Sequence, residues 1–245
     1  MSRLGSENLQ KHKGSYFNFT AVRMDDLGAQ DYTLVTVVVD KSGSVASFYQ
    51  DMEKALKEVL GACLESPRCD NLMLRLVTFN NNHQEVHGFK LLADINPSDY
   101  DGILQAGGAT ALYDACVDSI DATNKLGNQL LKDDYGVNGI VVVITDGCDN
   151  SSTLGPKQVK ESLQDAVQGE NLESLVSILV AVNVAEDSVK QVLEQFNNDV
   201  GFTQFVPLEN ADKKTLAKLA QFISKSISSQ SQALGSGGPS QSITF

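Results

Sequence analysis

The sequence predicts an α/β protein built on a doubly wound, mostly parallel sheet with helices on both faces. Three observations carry that expectation. Residues 32–39 and 140–145 are β-branched apolar runs with no polar alternation, the pattern of strands covered on both sides. Strand-like runs alternate along the chain with amphipathic stretches of 10 to 20 residues. Asn80-Asn81-Asn82 separates two further strand-like runs and allows one antiparallel hairpin at a sheet edge.

After the run at 32–39, Met52, Ala55, Leu56, Val59, Leu60 and Cys63 recur at helical spacing and stop near Pro67. Residues 72–79 read as a strand, 84–92 as its hairpin partner, and 112–131 as a long helix. A strand at 140–145, a helix at 156–168 and a strand at 175–182 follow. Val189, Val192, Leu193 and Phe196 mark another helix, 202–206 a short strand, and Leu216, Leu219, Phe222 and Ile223 a last helix. The fold class is therefore α/β and Rossmann-like, with a six-stranded sheet and one antiparallel edge strand.

One domain over residues 31–228 accounts for this order. Residues 1–30 form an N-terminal arm or an added edge strand, because Phe17, Phe19 and Ala21 alternate in strand fashion. Residues 229–245 are a Ser/Gly/Gln-rich tail. The last twenty residues hold 14 Ser, Gly, Gln or Pro and no charged side chain, too little apolar surface to offset chain entropy. Alone, that tail is expected to be disordered. Ile243 and Phe245 are its candidate anchors if a neighbour or another part of the chain orders it.

Composition narrows the function. Thirty-one acidic and 19 basic residues give a net charge of −12, the wrong sign for nucleic acid or for an anionic membrane surface. Four cysteines without a C-x-x-C pair indicate neither a zinc knuckle nor a disulfide scaffold. No apolar run approaches the ~20 residues of a membrane-spanning helix. The polar start lacks the apolar middle of a secretory signal, so the expected location is cytoplasmic.

In open α/β sheets ligands bind beyond the carboxyl ends of the strands, and three loops fall there. Asp40-Lys41-Ser42-Gly43-Ser44 leaves the first central strand with one carboxylate and two hydroxyls at alternate positions. Gly107-Gly108-Ala109-Thr110 places a hydroxyl ahead of the long helix. Thr145-Asp146-Gly147 adds a second carboxylate. Taken singly, each reads as a helix cap or a turn. Together on one rim, Asp40, Ser42, Ser44, Thr110 and Asp146 make an all-oxygen set suited to a hard cation, Mg²⁺ or Mn²⁺, and unattractive to zinc or copper.

At these residues the chain resembles the von Willebrand factor type A (VWA) family. Its metal-ion-dependent adhesion site follows the pattern D-x-S-x-S, then T, then D, here Asp40, Ser42, Ser44, Thr110 and Asp146. The resemblance extends over residues 32–226. It implies that the serines, with the threonine or one aspartate, contact the cation, that the other aspartate acts through water, and that a partner's acidic side chain completes the coordination. With no cysteine pair framing the domain, it also points to an intracellular, bacterial or phage-type stand-alone member. Such a member implies an adaptor in stress or phage-related settings, with a chaperone-like AAA ATPase as a partner.

Other signals are weaker. His83-Gln84-Glu85-Val86-His87 departs from the H-E-x-x-H order and is strand-like, so a solvated hairpin face is expected. Cys148 has nothing basic beside it to favour a thiolate, and Asp149 and Asn150 extend the rim of the third loop. The glycines fit no nucleotide-binding fingerprint. The function expected is a cation-dependent protein–protein interaction module with no catalytic residue. The alternatives are a metal-dependent hydrolase, for which Lys41 is the one proton-transfer group in the three loops, or a structural subunit of a larger assembly. Self-association through the tail is the further expectation.

Overall fold

A computed structural model of the chain describes residues 9–169, 171–185, 187–238 and 243–245. Residues 1–8 of the expected arm and 239–242 of the expected tail lie outside them. The chain order is β1 (Leu9–Lys13), β2 (Asn18–Val22), β3 (Asp31–Asp40), α1 (Tyr49–Leu64), β4 (Leu72–Phe79), β5 (His83–Leu91), α2 (Leu112–Lys132), β6 (Gly136–Thr145), α3 (Pro156–Gln168), β7 (Leu175–Ala181), α4 (Asp187–Val200), β8 (Gln204–Pro207) and α5 (Lys213–Ser236).

The strands form one sheet in the order β1-β2-β5-β4-β3-β6-β7-β8. β3, β4, β6, β7 and β8 are parallel, so β3 and β6 lie side by side at the centre, where their valine-rich runs are covered on both faces. Val35, Val37 and Val39 face a core built with α1 and α5. Val38, Val141 and Val143 face the core under α2, α3 and α4. The strand period of two thus sends alternate side chains into the two helix layers.

The expected six-stranded sheet with one antiparallel edge strand is corrected to eight strands with two antiparallel pairs, β1/β2 and β4/β5. β5 is not an edge, because β2 pairs with it in parallel at Ala21 and Phe89. Gly88 permits this approach: a Cβ there would collide with the backbone oxygen and hydroxyl of Thr20. The Glu85 carboxylate accepts from Thr20 N at 3.1 Å, and its other oxygen accepts from Arg75 Nε at 2.9 Å. Arg75, 1% exposed, also donates to Asp118 of α2 at 2.8 Å, so a buried ionic chain links β2, β5, β4 and α2.

The same packing corrects the expected solvated face at 83–87. His87 is buried, with Nδ1 2.9 Å from the Gly88 carbonyl and Nε2 2.9 Å from the Tyr100 hydroxyl. The carbonyl can only accept, so Nδ1 carries the proton and Nε2 accepts from Tyr100. His83 stands edge-on to Phe17 with ring centroids 4.2 Å apart.

The last helix is longer than its apolar pattern indicates. Asp212 caps it by accepting from Thr215 N at 2.8 Å, and it runs to Ser236, ending at Gly237 in the left-handed region. Its polar end is buried by partners from elsewhere: Asn138 Nδ2 donates to the Gln230 carbonyl at 2.8 Å, and Arg68 Nε donates to Ser231 Oγ at 2.9 Å. Beyond it, Ile243 packs against the α1/α5 core, and the Phe245 ring meets Phe222 edge-on at 5.5 Å.

Candidate metal centre

The three loops meet above the carboxyl ends of β3 and β6. Asp40 ends β3, buried at 2% exposure. Its Oδ1 accepts from Ser42 N at 2.7 Å and its Oδ2 from Thr145 Oγ1 at 2.7 Å. The chain then enters a short 3₁₀ turn, residues 43–47, ahead of α1, which brings Ser42 and Ser44 to the same side. Their hydroxyls are 3.0 Å apart, and Ser44 Oγ donates to Asp146 Oδ1 at 2.7 Å. Since Ser44 spends its proton on Asp146, Ser42 is the donor to Ser44. Ser44 is exposed and Asp146 half-buried, so the cluster opens to solvent at these two residues.

The middle loop is held by its neighbours. Gly107 N donates to the Lys41 carbonyl at 2.9 Å, Gly43 N to the Gly108 carbonyl at 3.1 Å, and Ala111 N to the Asn80 carbonyl at 2.7 Å. Asn80 Nδ2 donates to the Gly107 carbonyl at 2.8 Å, and Asn81 Oδ1 accepts from Ala109 N at 3.0 Å. Gly108 has φ +87°, and a Cβ there would run into the Asn81 side chain. Thr110, 4% exposed, is clamped by Asn150, whose Oδ1 accepts from Thr110 N at 2.7 Å. The Thr110 hydroxyl faces the Asp146–Gly147 turn, 3.9 Å from where a Cβ on Gly147 would stand.

All five residues singled out in the sequence therefore come to one rim. Three contributors went unrecognised: Thr145, which orients Asp40, and Asn80 and Asn81, which brace the glycine loop; Asn150, expected to extend the rim, clamps Thr110. A hydroxyl just before the strand-ending aspartate and an asparagine run facing a glycine pair were the signals available.

Burial sets the electrostatics. It raises the Asp40 carboxyl above its ordinary value, against the opposing hydrogen bonds from Ser42 and Thr145. Asp146 is pushed up to about 6 by burial first and by the Asp40 charge second, while the Ser44 bond opposes the shift. Two carboxylates sharing a partly desolvated rim without a lysine or arginine against them are poorly neutralised, and a cation would relieve both.

The donor set fits a small hard ion. Neighbouring oxygens around an octahedral ion at 2.0–2.1 Å stand about 2.9 Å apart. The Ser42–Ser44 and Ser44–Asp146 hydrogen bonds, 3.0 and 2.7 Å, are of ordinary length and also compatible with edges of that size. No group of three or more His, Cys, Asp or Glu gathers for a metal among the described residues; the rim holds two carboxylates and three hydroxyls. Lys41 is turned away, with Nζ donating to Gln84 Oε1 at 2.9 Å.

A family model described as von Willebrand factor type A domain matches residues 35–222. No curated protein sequence matches the chain at a significant level. Among solved structures, the PilB minor pilin from Streptococcus sanguinis is similar with a TM-score of 0.61 at 15% identity, over 90% of this chain and 66% of the pilin chain. The pilus adhesin SpaC from Lactobacillus rhamnosus GG has a TM-score of 0.59 at 12% identity, over 90% of this chain and 34% of that one. Proximal thread matrix protein 1 from the mussel byssus has a TM-score of 0.52 at 19% identity, over 81% and 46%. The chain thus spans two thirds or less of these proteins, and at such identities the likeness establishes the fold.

The matches correct two expectations. A pilin, a pilus adhesin and a byssus thread protein are not intracellular bacterial or phage-type stand-alone proteins, so that relationship and its stress-response role do not stand. The cytoplasmic location falls with them, since it rested on the same reading and on the composition of the first residues. None of the three is named as an enzyme, in line with the non-catalytic reading of the site.

Proposed function

Because the chain belongs to the von Willebrand factor type A domain family, we propose that it is a protein-docking module that works through a divalent cation. Asp40, Ser42, Ser44, Thr110 and Asp146 would hold Mg²⁺ or Mn²⁺ and offer it to an Asp or Glu of a partner. The observation that carries this reading is the convergence of two carboxylates, Asp40 and Asp146, with the Ser42 and Ser44 hydroxyls on one rim that opens to solvent at its Ser44–Asp146 end.

A bound cation would supply an electrophilic position for one more oxygen anion. The chain's own residues do the rest. Thr145 and the Ser42 amide occupy both oxygens of Asp40, which suits that carboxylate to act through water. Three neutral hydroxyls leave the ion's charge only partly offset, which favours an incoming carboxylate. No histidine lies in the three loops and Lys41 is engaged by Gln84, so no group is placed to activate water, and docking is favoured over hydrolysis. The mussel thread protein has been solved with zinc occupying its site of this motif, at 18% identity and a TM-score of 0.50, which runs against the expectation that such an oxygen set disfavours zinc.

The chaperone-like AAA ATPase partner was tied to the intracellular relationship and loses its support with it. Ile243 and Phe245, the anchors expected for self-association through the tail, pack on their own chain, with Phe245 left half exposed. The docking reading is tested by affinity capture of binding proteins with Mg²⁺, with chelator, and with a Thr110→Ala variant. Captured partners are expected only with Mg²⁺ and the native threonine. Partners retained in both chelator and Thr110→Ala would place the interface elsewhere.

A further inference from the structure

The β1/β2 hairpin lies outside the stretch that matches the family, yet it is built firmly into the sheet. Glu85 holds Thr20, Gly88 admits its backbone, and Ser15 Oγ donates to Asp121 Oδ1 of α2 at 2.7 Å. These contacts fix where the hairpin tip stands. Phe17 lies against His83, His83 pairs with Phe79, and Phe79 pairs with Asp40 of the candidate cation site. The tip is therefore level with the metal rim.

Two side chains at that tip have no structural role that explains their exposure. Tyr16 is 54% exposed, one of three large hydrophobic residues so exposed among the described residues. Lys13, opposite Asn18 in the hairpin register, is also exposed. Two basic side chains, Lys11 and Lys13, are exposed on one face of β1, in a chain whose net charge is −12. Arg23 lies at the far end of the hairpin and pairs with Asp25, and the Asp121 carboxylate beside the tip is engaged by Ser15. An acidic segment repelled by most of the surface would be drawn to this end of the sheet.

Resting on the cation-docking reading above, we propose that the hairpin tip is a second contact of the docking face. It takes an apolar residue of an extended, acidic partner segment whose carboxylate sits on the cation. Spacing defines the segment. β2 and β3 are separated by β5 and β4, so the hairpin is offset from β3 by about 14 Å across the sheet at ~4.8 Å per strand interval. An extended chain covers that in about four residues. The partner motif is thus an Asp or Glu with a large apolar residue about four positions away. Further acidic residues between them would fit Lys13, and the exposed amides of Asn81 and Asn82 lie along the way.

The test is selection of a random peptide display library on the full chain in Mg²⁺, followed by binding of the enriched peptides to variants. Enriched sequences should pair an acidic with an apolar residue at that spacing. Their affinity should fall at least tenfold with Tyr16→Ser, fall further and become less salt-sensitive with Lys13→Glu, and vanish with Asp146→Ala. Mn²⁺ affinity and melting temperature should stay unchanged in Tyr16→Ser and Lys13→Glu, since both side chains are exposed. Carboxylate-dependent peptides that bind both hairpin variants as well as the parent would overturn the proposal, as would the absence of any enrichment. Peptides that need Tyr16 but ignore chelator and Asp146→Ala would keep the hairpin contact and overturn the cation reading.

Discussion

Ser44 donates from Oγ to Asp146 Oδ1 across 2.7 Å, joining two loops that are 102 residues apart in the chain. That contact makes Ser44 both a candidate ligand and the residue that aims Asp146. Replacing it should weaken Mn²⁺ binding through both roles. Ser44→Ala is expected to lower affinity by about 10- to 100-fold, read by calorimetry, with the melting temperature in chelator unchanged because Ser44 is exposed. Unchanged affinity would remove Ser44 from the site.

Removing rim charge should not unfold the protein. Asp146 is half-buried with Asp40 nearby and no basic side chain against it, so its negative charge costs stability when no cation offsets it. Asp146→Asn is therefore expected to melt in chelator at the same temperature as the parent or above it. A large fall in melting temperature would show that the carboxylate supports the fold.

Gly108 is required by its conformation and by the space it leaves. At φ +87° a side chain is strained, and a Cβ would meet Asn81. Gly108→Val should cost about 1–3 kcal/mol in denaturant unfolding and weaken Mn²⁺ binding, because the loop carries Thr110. Pairing it with Asn81→Ala relieves the collision but not the φ strain, so only part of the loss should return.

His87 sets a pH dependence. Burial lowers its pKa to about 4, so the folded state keeps it neutral while the unfolded chain protonates near 6.5. The unfolded state then binds more protons in that window. Stability is fully present above pH 6.5 and falls as the pH drops toward 4, by up to about 3 kcal/mol from this group. His87→Gln removes the titration, so the loss of stability between pH 6.5 and 4 should be smaller in the variant than in the parent. Equal slopes would show that His87 protonates freely in the fold.

The central strands, helices α1 to α4 and the five-residue rim were legible because their signals are local. Val35 to Val39 announce a buried strand, and Asp40, Ser42 and Ser44 follow it directly. β1 was not legible, since Leu9 is the single apolar residue in Leu-Gln-Lys-His-Lys and its pairing with β2 supplies the strand. The burial of His87 was hidden for a related reason, because Tyr100, which covers it, is 13 positions away. The polar end of α5 reads as disordered until Asn138 and Arg68 are seen to hold it. Thr145, Asn80 and Asn81 act through backbone and side-chain bonds between loops, which composition and periodicity do not reveal.

Calorimetric titration of Mn²⁺ into the full chain, the parent beside Asp40→Ala and Asp146→Ala, tests the central claim most directly. One ion per parent chain is expected, with weak affinity in the absence of a partner, because only two charged ligands serve it. Each variant should lose that binding while remaining folded by circular dichroism. Equal Mn²⁺ affinity in the parent and both variants, or no binding to the parent at millimolar ion, would contradict the site and the docking mechanism built on it.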